Sequence, residues 1–294
     1  MRSFALSLLL AFTAAANSAA GDLAPRIPDL DQFLADIPAQ SAPSVPLPAR
    51  AAYLPQASGL SGERLFQFLH QATEFSLPKG GTAYLNAKKY MFSVADNTGC
   101  GGRPGVVAFY SQICVPGSSE HGEDYRELGD ANGDGYVDSD GMNAEHSWPQ
   151  GFFDGGLPMR ADLHHIFPTF IKPNNTRGSS PFGLAGRAEY STSSGSRFDG
   201  AVFEPADAVK GDIARALLYF VVRYYDRDIR SGMNYRDFWT SRVPMLLQWD
   251  RQDPPDAAER RRNDLIERYQ GNRNPFVDDT SMAPRIGAAV FQSH

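Results

Sequence analysis

Ala144-Glu145-His146-Ser147-Trp148-Pro149-Gln150 is the stretch from which the rest of the chain is read. It sets a carboxylate beside an imidazole, then an aromatic residue and a proline. Asp162-Leu163-His164-His165-Ile166-Phe167-Pro168 follows, and then Pro173-Asn174-Asn175-Thr176-Arg177-Gly178. Between Glu145 and Arg177 the chain thus gathers three of its six histidines with carboxylates, amides and arginine. A neutral imidazole is the usual general base near neutral pH. A carboxylate is a hard ligand suited to Mg2+ or Ca2+. Phosphodiester hydrolysis needs both: a group to take a proton from water and a cation to neutralise charge on the phosphate.

Each piece also has a plainer reading. Glu145-His146 is equally a structural histidine beside a surface glutamate. Neighbours on a regular strand point to opposite faces, so both serve one site only if the backbone departs from that pattern. The same argument allows only one of His164 and His165 into a site. Asp162 is placed to orient an imidazole through its second nitrogen, or all three simply anchor a turn. The zinc-protease spacing His-Glu-x-x-His is absent. Asn174 offers a neutral oxygen ligand, and Arg177 a guanidinium that fits a phosphate bidentately. Their spacing puts them on one side of a helical turn, and the plain alternative is a polar turn after Pro173.

Composition frames these motifs. Residues 1–20 read as a signal peptide: Arg2, an apolar run from Phe4 to Ala16, then small residues at Ser18 and Ala20. The run is shorter than the ~20 residues of a membrane span. The mature protein is therefore expected outside the cytoplasm, with no membrane anchor. Residues 21–60 carry Pro25, Pro28, Pro38, Pro43, Pro46, Pro48 and Pro55, which excludes a long helix or inner strand and suggests an arm or pro-segment. Cys100 and Cys114 are expected to pair in an oxidising compartment. With 42% hydrophobic and 21% charged residues, the chain is neither disordered nor fibrous.

The net charge of −6 argues against a polyanionic partner, but it is localised. Between Glu120 and Asp140 eight acidic residues stand against Arg126 alone. Within that segment Asp130, Asn132, Asp134, Tyr136 and Asp138 fall at the ligand positions of an EF-hand-type calcium loop, with Gly135 at the tight turn. Gly141 occupies the position of the closing carboxylate. The loop is either a structural Ca2+ site or a solvated acidic turn.

Hydrophobic spacing predicts helices from Ser61 to Phe75, broken at Lys79-Gly80-Gly81, and from Thr82 to Val94. Val106–Cys114 reads as a strand. Residues 144–178 read as short strands and loops, and 179–198 as irregular. A long helix is predicted over Pro205–Asp228, with an apolar stripe through Val209, Ile213, Leu217, Phe220 and Val221. A helix over Phe238–Trp249 is interrupted by Pro244, and another opens at Pro254-Pro255-Asp256 and ends at Gly271.

Taken together, Glu145-His146-x-Trp148-Pro149-Gln150, Asp162-Leu163-His164-His165 and Asn174-x-x-Arg177-Gly178 resemble the endonuclease I family of secreted and periplasmic bacterial nucleases, among the ββα-metal (His-Me finger) nucleases. Lys210-Gly211-Asp212-Ile213-Ala214-Arg215-Ala216, Tyr224-Tyr225-Asp226, Trp249 to Asp253, Glu259 to Asn263 and Tyr269 to Phe276 extend the likeness over roughly 62–280. The resemblance implies an α+β fold, a mostly helical single catalytic domain over 61–281 around a small ββα-metal core, with 282–294 as a tail. It implies Mg2+, or Mn2+ in its place, and cleavage of DNA, often also RNA, by a monomer reading the backbone. Residue by residue, it makes His146 the general base and Glu145 and Asn174 the metal ligands. Arg177 and Arg160 are candidates for the phosphate contact, and Asp162, His164 and His165 stand behind the site. Pro173 strains the expectation that Asn174 lies in a helix. Two competing readings are a ribonuclease of the same family and a secreted, non-enzymatic calcium-binding module resting on 130–138.

Overall fold

The computed structural model describes residues 50–77 and 82–294. The signal peptide, the arm up to residue 49 and the Lys79-Gly80-Gly81 break lie outside the described residues. The centre of the molecule is the helix Lys210–Tyr224. Its residues from Ile213 to Val222 are buried all round rather than along one stripe, as expected of a helix surrounded by other elements. The helices Gly62–Ala72, Val243–Gln252 and Pro275–Asp278 pack against it. Gly211 is required at its start, because a Cβ there would meet the Asp253 carbonyl at 1.9 Å.

Several boundaries follow from local chemistry. The helix Ala257–Gln270 starts at Asp256, whose side chain accepts from the Glu259 N–H, and ends at Gly271 in the left-handed region. Pro244 does not interrupt its helix. It lies in the first turn of Val243–Gln252, where no N–H is needed, and a separate wide turn, Arg236–Thr240, precedes it. The predicted helix over 82–94 is Ala83–Tyr90 continued by a wide turn, Met91–Ala95.

Among the described residues, three small antiparallel sheets complete an α+β fold. The predicted strand 106–114 is a hairpin of β1 (Gly105–Ala108) and β2 (Ile113–Pro116), tethered by the Cys100–Cys114 disulfide. Strand β3 (Met142–His146) pairs with β4 (Ile166–Phe170), and the helix Ile171–Arg177 follows β4 directly. Strands β5 (Tyr190–Ser191), β6 (Arg197–Phe198) and β7 (Phe203–Glu204) order the segment predicted as irregular. Both ends of the described chain are built in. Helix Arg50–Ala57, in the proline-rich arm, buries Tyr53 and Ala57. The tail forms Met282–Ile286 and Ala288–Ser293, with Met282, Ile286 and Phe291 in the core.

Candidate active site

The β3–β4 hairpin and the helix after it set the site. His146 is the last residue of β3, paired with Ile166, and the chain bends away at Ser147 and Trp148. Glu145 and His146 are both buried, at 2% and 4% exposure, yet both line one cleft of about 300 Å³ with Asn143, Asn174 and Arg177. The expected conflict of strand faces is therefore resolved at the strand end. The Pro173 difficulty also disappears. Pro173 is third in Ile171–Arg177, among the first four residues whose N–H groups have no partner inside a helix.

Glu145 receives two hydrogen bonds, from the Tyr110 hydroxyl (2.7 Å) and the Arg177 Nη1 (2.9 Å), both on Oε1. Burial raises its pKa, while Arg177 and Tyr110 pull it back. Asn174 Nδ2 donates to Asn143 Oδ1 at 2.5 Å. Glu145 Oε2 and Asn174 Oδ1 carry no hydrogen bond among the described residues, and their side chains border the same cleft. One anionic and one neutral oxygen fit Mg2+, which keeps most of its waters and takes one or two protein oxygens. Among the described residues no group of three or more His, Cys, Asp or Glu side chains is placed to hold a metal ion. A cage built from such side chains is therefore absent there.

His146 Nε2 lies 3.0 Å from the Arg160 carbonyl. In the neutral ring Nε2–H donates there, leaving the lone pair on Nδ1. Burial, helped by nearby His165, presses the imidazole down to about 3, against the pull of the Arg160 and Ala144 carbonyls. The ring is thus held neutral, as a base must be before it acts.

Arg177 is 1% exposed. Its Nη1 donates to Glu145 and the His146 carbonyl, its Nη2 to the Ser147 carbonyl, and its guanidinium lies over the Phe182 ring. It braces Glu145 from within the fold, and its Nε–H is buried without a partner among the described residues. Arg160 is exposed, and its guanidinium sits 4.5 Å above the Tyr84 ring.

Asp162, His164 and His165 stand behind the cleft rather than in it. Asp162 does not orient an imidazole. It accepts from the His164 N–H, the Tyr219 and Tyr224 hydroxyls and Gln270 Nε2, because a buried carboxylate needs several donors. His164 Nε2 bonds the Asn272 carbonyl and His165 Nε2 the Met159 carbonyl. The His165 ring touches that of His146, with centroids 5.5 Å apart.

In the acidic loop, Asp130 accepts from the Asp134 and Gly135 N–H groups, Asn132 from Asp134 N–H, and Asp134 from Tyr136 N–H and the Tyr190 hydroxyl. Asp138 Oδ1 accepts from Lys172 N–H in the first turn of the Asn174 helix, and its Oδ2 is buried without a partner. Sequence reading missed Tyr110, Tyr84, Lys88 and Asn143. Asn143 alone had a local signal, since it shares a strand face with Glu145 two residues on.

An imidazole, a carboxylate and an amide side chain thus share one cleft. Residues 83–281 match the family model described as Endonuclease I, and the chain belongs to that family. An extracellular ribonuclease of Bacillus amyloliquefaciens is 32% identical over 244 residues, 80% of this chain and 77% of that protein. An extracellular ribonuclease of Bacillus subtilis (strain 168) is 38% identical over 154 residues, 49% of this chain and 53% of the relative. An extracellular deoxyribonuclease of Aeromonas hydrophila is 31% identical over 127 residues, 41% and 50% of the respective chains. Like these relatives, the protein is secreted or periplasmic.

Proposed function

We propose that the protein is an exported endonuclease that hydrolyses phosphodiester bonds of DNA and RNA with little sequence preference. We read β3, β4 and the Ile171–Arg177 helix as the ββα-metal core. The observation that carries this reading is the cleft shared by His146, Glu145 and Asn174. His146 takes a proton from the attacking water on Nδ1. The resulting imidazolium keeps its Nε2–H on the Arg160 carbonyl, which favours the charged ring and so assists the transfer. Glu145 Oε2 and Asn174 Oδ1 would hold Mg2+, or Mn2+, which when bound supplies charge neutralisation at the phosphate and leaving oxygen. Arg177 and Tyr110 fix Glu145 so that Oε2 stays available. Arg160, over the Tyr84 ring that lines the cleft, holds the phosphate by its guanidinium.

Nothing in this cleft selects a sugar, because the proposed contacts are to the backbone. Two relatives are named ribonucleases and three are named deoxyribonucleases. The test is parallel digestion of a plasmid and a structured RNA with Mg2+, Ca2+ or EDTA. Cleavage of both with Mg2+ and neither with EDTA supports the reading. Full activity in EDTA refutes the metal, and intact substrates with every divalent ion refute the enzyme.

A further inference from the structure

The helix Ala83–Tyr90 borders the cleft with Tyr84 and, one turn on, Lys88. The Arg160 guanidinium stands 4.5 Å from the centre of the Tyr84 ring and the Lys88 ammonium 5.1 Å from it. That ring is itself 5.6 Å from the His146 imidazole. Two cations are thus gathered on one aromatic side chain beside the proposed base.

Neither Lys88 nor Arg160 has a side-chain hydrogen bond or a carboxylate partner among the described residues, unlike several other cations of the chain. Arg177, Arg215, Arg262, Arg273, Lys89 and Lys210 are all paired with acids. Lys88 lines the cleft, and Arg160 stands over Tyr84, which lines it too, so both unpaired charges lie beside it. A ring face attracts a cation and orients it without neutralising it, so the charge stays available to a ligand. Both cations lie about 5 Å from the same ring centre, so their separation cannot exceed about 10 Å. A nucleic-acid strand presents a phosphate every ~3.4 Å along its axis, so consecutive phosphates fall within that reach.

We propose that Lys88 grips the phosphate next to the one being cut, while Arg160 takes the scissile phosphate, and that Tyr84 is the positioning residue that holds both. The proposal rests on the nuclease reading above. It makes the site one that reads a strand rather than a single phosphodiester, and it places sequence-independent affinity in this trio, since phosphate contacts fix a strand's position without reading its bases.

The experiment is binding of a fluorescein-labelled, 20-nucleotide single-stranded DNA to the full chain in EDTA, followed by anisotropy across a range of KCl concentrations. Each lost phosphate contact flattens the slope of log K against log salt by about 0.7 for a single strand. Lys88→Ala and Arg160→Ala are each expected to flatten it by that amount. Tyr84→Leu is expected to flatten it further than either, and Tyr84→Phe, which keeps the ring, to restore the wild-type slope. Arg236→Ala, in the turn beside the C-terminal helix, is the control for loss of charge alone. Wild-type slopes in Lys88→Ala and Arg160→Ala overturn the proposal, whatever the protein does to DNA. A Tyr84→Phe slope as flat as that of Tyr84→Leu overturns the role given to the ring. Flattened slopes in a protein that cleaves neither DNA nor RNA leave this strand site standing and sink the nuclease reading instead.

Discussion

Replacement of Arg177 by alanine removes one side chain and three hydrogen bonds. Glu145 Oε1 loses one of its two donors, and the His146 and Ser147 carbonyls lose the Arg177 donor, in a buried region. Glu145 is left a buried carboxylate with Tyr110 as its one remaining donor. Breaking a buried ion pair from one side costs about 3–5 kcal/mol. In a chain of this size that lowers the melting temperature by roughly 10 °C. Removing both charges, as in Glu145→Gln with Arg177→Met, leaves no stranded ion. The double variant is expected to be more stable than Arg177→Ala, with a coupling energy of about 2 kcal/mol or more between the sites. The assay is urea unfolding in EDTA, followed by tryptophan fluorescence, for wild type, each single variant and the double. A loss below about 1 kcal/mol in Arg177→Ala, or strict additivity in the cycle, would refute the strut assigned to Arg177.

Three further outcomes are expected. His164 is pressed to about 4 by burial, so the unfolded chain takes its proton first as pH falls from 6.5. Stability is fully present above about 6.5 and falls by about 3 kcal/mol by pH 4 on this account, and a His164→Gln variant should show a shallower loss in pH-dependent urea unfolding. Replacing Cys100 and Cys114 by serine, which opens a loop with a sequence separation of 14, is expected to cost about 3 kcal/mol in the same assay. Asp138, lifted to about 6 mainly by burial, is destabilised in its charged form as pH rises through that range. Asp138→Asn keeps the Lys172 cap and is expected to melt higher than wild type at pH 7 in EDTA, while calorimetry with calcium tests the loop as an ion site.

What was legible in the sequence was what local chemistry fixes. Asp256 and Gly271 mark a helix because a capping oxygen and a left-handed residue act within one turn. Glu145, His146 and Asn174 were singled out by their residue types and by the family resemblance, and the fold brings them to one cleft. Their supports were not. Tyr110 reaches Glu145 from 35 residues away and Arg177 from 32, and only the folded hairpin brings them together. Arg177 was one of two candidates for the phosphate contact, because a guanidinium suits either a phosphate or a carboxylate; in the fold it is buried and paired with Glu145. Tyr84 and Lys88 carried no signal because their helix meets the site only through tertiary packing. The tail at 282–294 carried no signal of packing because Phe291 and Ile286 find their partners in distant helices.

In the proposed mechanism His146 is the proton acceptor beside a cation that Glu145 and Asn174 would hold. The direct measurement is strand cleavage by His146→Ala at saturating Mg2+, alongside calorimetric titration of the same variant with Mn2+. General-base loss predicts a fall in kcat of roughly 10²–10⁴ with Mn2+ affinity close to that of wild type. Near-normal turnover, or loss of metal binding together with activity, would contradict it.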